Sequence, residues 1–379
     1  MLVNVDWFFV SHFLHLARFA RDEGWRVALA TELGAERDRL VAEGIELVPL
    51  PTRRGGLVPR GLGATVQCLA DDLRRHPETL LHGFGLFGIF AGTLAADRAG
   101  LGNRVFTITG RGYTAVANSP KAILVRALAA SFMSRIADRK TVRWIAENRH
   151  DLRSCGLANA ERDGRTIVVG GAGIDPAIFA PRPMPPRPPL KVALVGRMIW
   201  TKGVDTAVAA TALARANGLE MELTLAGGID TANPAAWKAS DIEAMARAPG
   251  IRWLGRNDDI PGLWADQHLA VLPSRGGEGV PRSLIEAAAC GRSIVTTSVP
   301  GCCELAADTG GWTVPVDDPA ALAQAFAEAS AKDLAVKGSE AREAVLHGYT
   351  ISDNWAATRK LYETLMPIVS GTSPRERTS

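Results

Sequence analysis

Short apolar runs alternate almost from end to end of the chain with stretches whose apolar residues recur every three or four positions. The runs read as strands and the 3.6-residue periodicity between them as helices. Repeated alternation of this kind predicts an α/β protein with parallel sheets and helices on both faces. A first series of strands is predicted at Leu2–Val5, Arg26–Ala30, Glu46–Val48, Leu80–His82, Arg104–Ile108, Thr141–Trp144 and Thr166–Val169. A second follows at Lys191–Val195, Glu222–Ala226, Ile251–Leu254, Leu269–Leu272, Ser293–Thr297 and Trp312–Val316.

Local signals place the element ends. Ser11 is expected to cap the first helix and Gly24 to stop it, with Leu14, Leu16, Ala17 and Ala20 as its apolar stripe. Asp317 is the expected N-cap, and Pro319 the first residue, of a helix reaching Ala329. Further helices are predicted over Asp333–Leu346 and Asn354–Met366. Between Pro176 and Pro189 the chain reads PAIFAPRPMPPRPP, a proline density that describes a stiff extended linker. The predicted organisation is a Rossmann-like domain over 1–180 and a second over 181–353. A helix over 354–368 and a disordered tail over 369–379 complete it. Parallel sheets bind ligands beyond the carboxyl ends of their strands, so function is sought in the loops that follow strands, in a cleft between two such domains.

Composition narrows the class. A length of 379 residues suits two domains, and 47 % hydrophobic with 22 % charged residues is ordinary for a globular protein. The net charge of +3 is too small to suggest nucleic acid as a partner. Basic residues gather in the loop from Arg53-Arg54 to Arg60, and at Lys121, Arg126, Arg135, Arg139 and Lys140. The latter surround Ile123, Leu124, Val125, Leu128, Phe132, Met133 and Ile136. This basic amphipathic helix fits an anionic membrane surface, and equally a core helix with solvated ends. The longest apolar run, Leu80 to Ala96, is interrupted by glycines and too short to span a bilayer. The first residues read directly as a strand with no leader ahead of them, so a cytoplasmic location is expected. Cys68, Cys155, Cys290, Cys302 and Cys303 fall at no metal-binding spacing and read as reduced core residues.

Two constellations carry chemistry. Glu278-Gly279-Val280-Pro281 follows the strand ending at Leu272, and Pro281 predicts a helix start with its stop at Gly291. The free first-turn amides, with Gly279 allowing close approach, suit an anionic or hydroxyl-rich ligand. Glu278 and Glu286 are placed to accept hydrogen bonds from sugar hydroxyls. The second is Gly196-Arg197, directly after a strand, followed by Lys202-Gly203 before a helix that Asp205 and Thr206 help begin. Arg197 and Lys202 can converge on one diphosphate, the planar fork and the movable point charge together stabilising a departing nucleoside diphosphate. No strong metal-ligand cluster is seen, and Asp258-Asp259 reads as a helix start. No cofactor or metal is expected.

The segments LVGRMIWTKGVDTAVAA, LAGG at Leu225–Gly228 and LPSRGGEGVPRSLIEAAACGRSIVTTSVPGCCEL resemble the second domain of retaining glycosyltransferases of family 4. Glu278 and Glu286 match that family's E-x7-E spacing. Gly170-Gly-Ala-Gly-Ile-Asp175 matches its interdomain passage, and the opening NVDWFFVSHFLHLARFARDEGWRVALAT resembles bacterial members that build capsule, O-antigen or exopolysaccharide units on lipid-linked carriers. The resemblance implies a GT-B architecture, with the final helix crossing back to the first domain. It implies that Arg197 and Lys202 hold a donor diphosphate and Glu286 the ribose. The transferred sugar is then implied at Glu278, Gly279 and Val280, with Gly196, Gly228 and Pro281 lining the same donor site. The implied reaction moves a sugar from a nucleotide-sugar, a UDP-sugar by frequency among relatives, to a glycan or polyprenyl-diphosphate-linked acceptor, without metal and at the inner membrane surface.

The chain departs from the family at two places. Trp7-Phe8-Phe9-Val10-Ser11-His12 stands where many relatives have a Gly-Gly loop, and Gly110-Arg111-Gly112-Tyr113 where a histidine is common. That leaves His12 and His82 as acceptor-side candidates. A nucleotide-sugar 2-epimerase and a non-catalytic sugar-nucleotide binding module are compatible with the same architecture.

Overall fold

Every expected strand forms, with ends shifted by at most two residues, and all pair in parallel into two sheets. The computed structural model describes residues 1–52, 61–110, 112, 116–117 and 119–366. Arg53, Arg54, Arg60, Arg111, Tyr113 and the tail from 367 lie outside the described residues, as does the side chain of Lys121. The first sheet holds β1 (Leu2–Val5), β2 (Ala28–Glu32), β3 (Glu46–Pro49), β4 (Leu81–Phe84), β5 (Arg104–Ile108), β6 (Val142–Ala146) and β7 (Thr166–Val168), in the order β3-β2-β1-β4-β5-β6-β7. The second holds β8 (Leu190–Val195), β9 (Met221–Ala226), β10 (Ile251–Trp253), β11 (Leu269–Leu272), β12 (Ser293–Thr297) and β13 (Trp312–Val314), in the order β10-β9-β8-β11-β12-β13.

Strand periodicity explains the layering. In β8, Val192 and Leu194 enter one apolar cluster while Ala193 and Val195 enter another, and Leu269/Val271 and Ala270/Leu272 of β11 divide the same way. Successive side chains point to opposite faces, so a wholly apolar strand demands cover on both. Helices provide it: Val204–Ala216 and Pro319–Ser330 pack on one face, Arg282–Ala289 and Leu334–Val345 on the other.

The chain divides into two compact units. One comprises Met1–Thr109, Ala127–Ala172 and the described residues from Ile351 on; the other comprises Gly110–Arg126 and Gly173–Thr350. The change of unit at Ala172 lies ahead of the expected 180/181 boundary. The reason is that the proline segment is laced to the second unit instead of hanging free. Arg292, wholly buried, donates to the carbonyls of Trp264 (2.7 Å), Arg182 (3.0 Å) and Pro183 (3.2 Å). His268 Nε2 meets the Pro185 carbonyl at 2.8 Å, and Arg187 reaches the Ser330 carbonyl at 3.0 Å. Prolines cannot donate, so their carbonyls are what long cationic side chains can bind.

Two predicted caps move. The first helix begins at Asp6, directly after β1, so Ser11 lies inside it and bonds back to the Phe8 carbonyl at 3.1 Å. Asp6 wins because its buried carboxylate accepts from the amides of Trp7 (2.7 Å), Gly34 (2.5 Å) and Glu36 (3.2 Å), tying the segment after β1 to the one after β2. The chain breaks at Phe13, and a second helix, Leu14–Asp22, carries the expected stripe before Gly24. Farther on, Asp318 replaces Asp317 as N-cap, accepting from the Ala321 amide at 2.9 Å. Asp259 caps its helix as read from the sequence, accepting from the Gly262 amide at 2.9 Å.

The last described helix, Ile351–Glu363, is part of the first unit. Trp355 stacks on Phe19 and donates to Glu23, and Asn354 donates to the Gly171 carbonyl at 2.8 Å. The Tyr362 hydroxyl lies 2.5 Å from His82 Nδ1, while His82 Nε2 lies 2.6 Å from the Thr107 hydroxyl. His82 is thus a correction: it sits within β4, buried and stacked on Phe84, with both ring nitrogens occupied. The helix Pro120–Ala137 has a buried face, as the core reading expects, and an exposed apolar one. Met133 and Ile136 are buried, whereas Ile123, Leu124 and Leu128 are about half exposed. Among the described residues no helix is long and apolar enough to cross a membrane. All five cysteines are unpaired, three of them buried.

Burial holds the His82 pKa well below its ordinary value of 6.5. The unfolded chain takes up a proton there as pH falls through that value and the folded chain does not. Stability is therefore full above pH 6.5 and lost below it. A loss of stability from this group is expected between pH 7.5 and 5.5. Urea titrations at the two pH values check it: His82→Asn is less stable than the parent at pH 7.5 but loses less on acidification.

Candidate functional site

In the second sheet the strand order reverses between β8 and β11. The connections after these neighbours leave toward opposite faces, which opens a crevice at their carboxyl ends. Both constellations found in the sequence lie on these two connections.

After β8 the chain runs through Gly196 and Arg197 into a 3-10 turn, Trp200–Lys202, and then Gly203. Gly196 and Met198 are anchored by amide bonds to the carbonyls of Ala226 (2.9 Å) and Gly228 (3.0 Å), which places Gly228 behind the Arg197 loop. Gly203 has φ +67°, and a Cβ there would strike the Pro273 carbonyl oxygen of the second connection. Glycine is what lets the two backbones touch. The contact is reinforced by the Arg275 amide donating to the Thr201 carbonyl at 2.8 Å.

After β11 the loop Pro273–Val280 leads to the helix Arg282–Ala289. Pro281 stands at its N-cap in extended conformation, and Gly291, at φ +76°, follows its end, both as the sequence predicts. The first-turn amides of such a helix have no intrahelical acceptor. A segment from the other half of the sequence docks on this loop: the Gly112 amide donates to the Gly277 carbonyl at 3.0 Å. A Cβ on Gly277 would clash with Gly112, so backbone lies against backbone.

The side chains singled out in the sequence then form ion pairs. Lys202 Nζ stands 2.8 Å from Glu278 Oε1, with both side chains mostly buried. The Lys202 stem passes over Gly196, where any side chain would meet it. Arg197 Nη1 stands 2.6 Å from Asp230, and Arg282 Nε stands 2.8 Å from Glu286. Burial pushes the Glu286 carboxyl above its ordinary range, and the Arg282 guanidinium opposes that rise. Cys302 lies close enough to Glu278 to feel it: burial pushes the thiol up to about 12, and the Glu278 charge adds to the effect.

The structure therefore brings Lys202, Gly196, Glu278, Gly279, Val280 and Pro281 to one switch point. It differs from the expectation in the pairing. Arg197 and Lys202, expected to converge, are held by different carboxylates, and Glu278, expected at the opposite end of a ligand from Lys202, is its partner. His12 lies in the first unit, half-buried at the end of the helix Asp6–His12, its Nδ1 2.6 Å from the Ser11 hydroxyl. The sequence reading missed Asp230, Arg275 and the Gly112–Gly277 contact. Arg275 had a signal, a cation beside Gly276-Gly277 in a strand-following loop, whereas Asp230 depends on which loops the sheet order makes neighbours and the Gly112 contact on the packing of a segment that follows the other sheet.

Chemically, a cation and a carboxylate paired ahead of a helix start are partners that a ligand can exchange. A phosphate-bearing ligand can replace Glu278 as the partner of Lys202, leaving Glu278 free to accept hydroxyl hydrogen bonds. Among the described residues no group of three or more His, Cys, Asp or Glu is arranged to hold a metal ion.

Comparison with known proteins follows this geometry. Residues 189–332 match the family model of glycosyl transferases group 1, and residues 1–139 match that of glycosyl transferase 4-like proteins, most of the chain between them. The chain is 31 % identical over 201 residues to the putative colanic acid biosynthesis glycosyltransferase WcaL of Escherichia coli K12, covering 48 % of this chain and 47 % of that one. It is 32 % identical over 113 residues to N,N'-diacetylbacillosaminyl-diphospho-undecaprenol alpha-1,3-N-acetylgalactosaminyltransferase of Campylobacter jejuni, covering 30 % and 28 %. The chain thus spans about half the length, or less, of the curated relatives it matches. In fold it resembles Anabaena HepE, solved in complex with UDP, with a TM-score of 0.70 at 18 % identity over 93 % of this chain and 96 % of that one.

Competition between ligand and Glu278 for Lys202 gives opposite expectations for two variants. Titration calorimetry with inorganic pyrophosphate should show Lys202→Ala binding at least tenfold more weakly than the parent. Glu278→Gln, which frees the ammonium, should bind two- to tenfold more tightly. Weaker binding in both variants would refute the exchange.

Proposed function

We infer that this chain, which belongs to the group 1 and 4-like glycosyltransferases, transfers a sugar from a nucleotide diphosphate carrier to a glycan acceptor and retains the anomeric configuration. The observation that carries the reading is the Lys202–Glu278 pair at the β8/β11 switch point, ahead of the helix that Pro281 starts. On this reading the diphosphate takes Lys202 and Arg197, displacing Glu278 and Asp230 from them. Glu278 and the first-turn amides then take the hydroxyls of the transferred sugar, and Glu286 takes the ribose. The acceptor hydroxyl attacks the anomeric carbon on the face the diphosphate leaves. The bond from that carbon to the phosphate oxygen breaks as the bond to the acceptor oxygen forms, and the acceptor proton passes to the leaving phosphate oxygen. No protein nucleophile is required; positioning and charge stabilisation are the protein's work.

The donor is a UDP-sugar and the acceptor is lipid-linked, in cell-surface polysaccharide synthesis. Support comes from the UDP bound by HepE, the undecaprenol-linked acceptor in the name of the Campylobacter relative, and the colanic acid assignment of WcaL. Ile123, Leu124 and Leu128 on the helix Pro120–Ala137, with the exposed Arg135 beside them, suit association with an anionic membrane, here the cytoplasmic face of the inner membrane.

Two measurements test these assignments. With a panel of UDP-sugars and a lipid-linked acceptor extract, transfer should persist in excess EDTA and the product should keep the donor's anomeric configuration by NMR. Glu278→Gln should cut transfer at least a hundredfold. A strict divalent requirement, or conversion of the donor sugar without acceptor, would overturn the scheme. In vesicle flotation with phosphatidylglycerol-rich liposomes the parent should float, and Leu124→Asp/Leu128→Asp should stay in the dense fraction while keeping its melting temperature.

A further inference from the structure

We propose that Arg275 is the positioning residue of this site, holding the Trp200–Lys202 turn against the Glu278 loop so that Lys202 meets its anionic partner in one geometry. The proposal rests on the donor site described above. It extends that site to a residue three positions ahead of Glu278 that is unavailable to the donor itself.

The reason lies in how the guanidinium is used. Its side chain is 7 % exposed. Nη1 donates to the Trp200 carbonyl at 2.6 Å and to Asp205 Oδ1 at 2.8 Å. Nη2 donates to Asp205 Oδ2 at 2.9 Å and the Thr206 hydroxyl at 3.2 Å, and Nε donates to Asp317 Oδ1 at 2.6 Å. A guanidinium has five N–H groups, and five acceptors surround this one. Its plane also covers the Trp200 ring, 4.6 Å from the centroid. A fork so occupied has no donor left for a ligand.

The partners come from three segments. Trp200 belongs to the turn that carries Lys202, Asp205 and Thr206 to the first turn of the helix Val204–Ala216, and Asp317 to the connection after β13. Asp317 is held at φ +56°, a backbone state that few residues other than glycine adopt, which turns its carboxylate away from the cap position and toward Arg275. The backbone of Arg275 grips the same turn through Thr201. Lys202 and Glu278 thus sit on two loops that one side chain clamps together. Arg275 also neutralises Asp205 and Asp317, two carboxylates that would otherwise lower the attraction of the site for a diphosphate. Lysine, a single point charge, cannot span these partners.

The test is a double-variant cycle read by calorimetric binding of whichever of UDP, GDP and ADP the parent binds most tightly, with melting temperatures recorded throughout. Arg275→Ala should weaken binding at least tenfold in the parent but less than twofold in the Lys202→Ala background, because it acts through Lys202. Arg275→Lys should restore the melting temperature more than the affinity. Parent-like affinity in Arg275→Ala, or an equal loss in both backgrounds, overturns the proposal and leaves the donor site standing. Parent-like affinity in Lys202→Ala, or no nucleotide binding by the parent, overturns the donor site and the proposal with it. Should Arg275→Ala not fold, Arg275→Lys in the same cycle decides, with the same criterion of non-additivity.

Discussion

The backbone contact between the connections after β8 and β11 is the constraint on which the rest of the site depends. Gly203 lies against the Pro273 carbonyl, and the Arg275 amide bonds to Thr201, so the two loops cannot move independently. Close approach of two main chains excludes water and fixes the origins of Lys202 and Glu278. Their ion pair is then a consequence of loop geometry more than its cause. Pairs of this kind, taken alone, contribute little stability once desolvation is counted. In the proposed function the pair provides a defined resting partner for a charge that a diphosphate takes over.

The same logic recurs elsewhere. Long cationic side chains repeatedly bind backbone carbonyls that secondary structure leaves unpaired: Arg292 under the proline segment and Arg104 on Leu101. Acidic side chains do the converse for amides, as Asp6 does for three of them. Buried backbone polar groups must find partners, and loops between strands and helices are where the shortage arises. The residues proposed for function lie in such loops, so their positions are set by the satisfaction of main-chain groups around them.

Fold and family were legible at different depths. The inner strands were readable because they are buried on both faces, which forces a continuous apolar run whatever the surroundings, whereas the edge strands β3, β7, β10 and β13 are partly exposed and are marked by the turn signals around them. Helix starts were readable where a proline or an acidic pair marked them, as at Pro281 and Asp258-Asp259, and misread where a partner distant in sequence decided which residue serves. Asp317 and Asp318 are chemically equivalent as caps; Arg275, distant in sequence, takes one and leaves the other. Ser11 yielded to Asp6 because amides of Gly34 and Glu36, brought near by the β1–β2 pairing, reward a carboxylate there. His82 looked available because its strand ends near it, and Tyr362, far along the chain, closes it off.

By itself, the sequence determined two parallel α/β units, the loops where chemistry should be sought, and the residue types that suit a nucleotide-linked sugar. Those features depend on local periodicity, turn chemistry and spacing, which a linear chain expresses directly. Only the tertiary structure decided that Lys202 pairs with Glu278, that Arg197 pairs with Asp230, that Gly112 docks on Gly277, and that the proline segment is laced down. Each of these joins residues that lie apart in sequence, through strand order for the first two and through long-range loop packing for the others, which no local signal encodes.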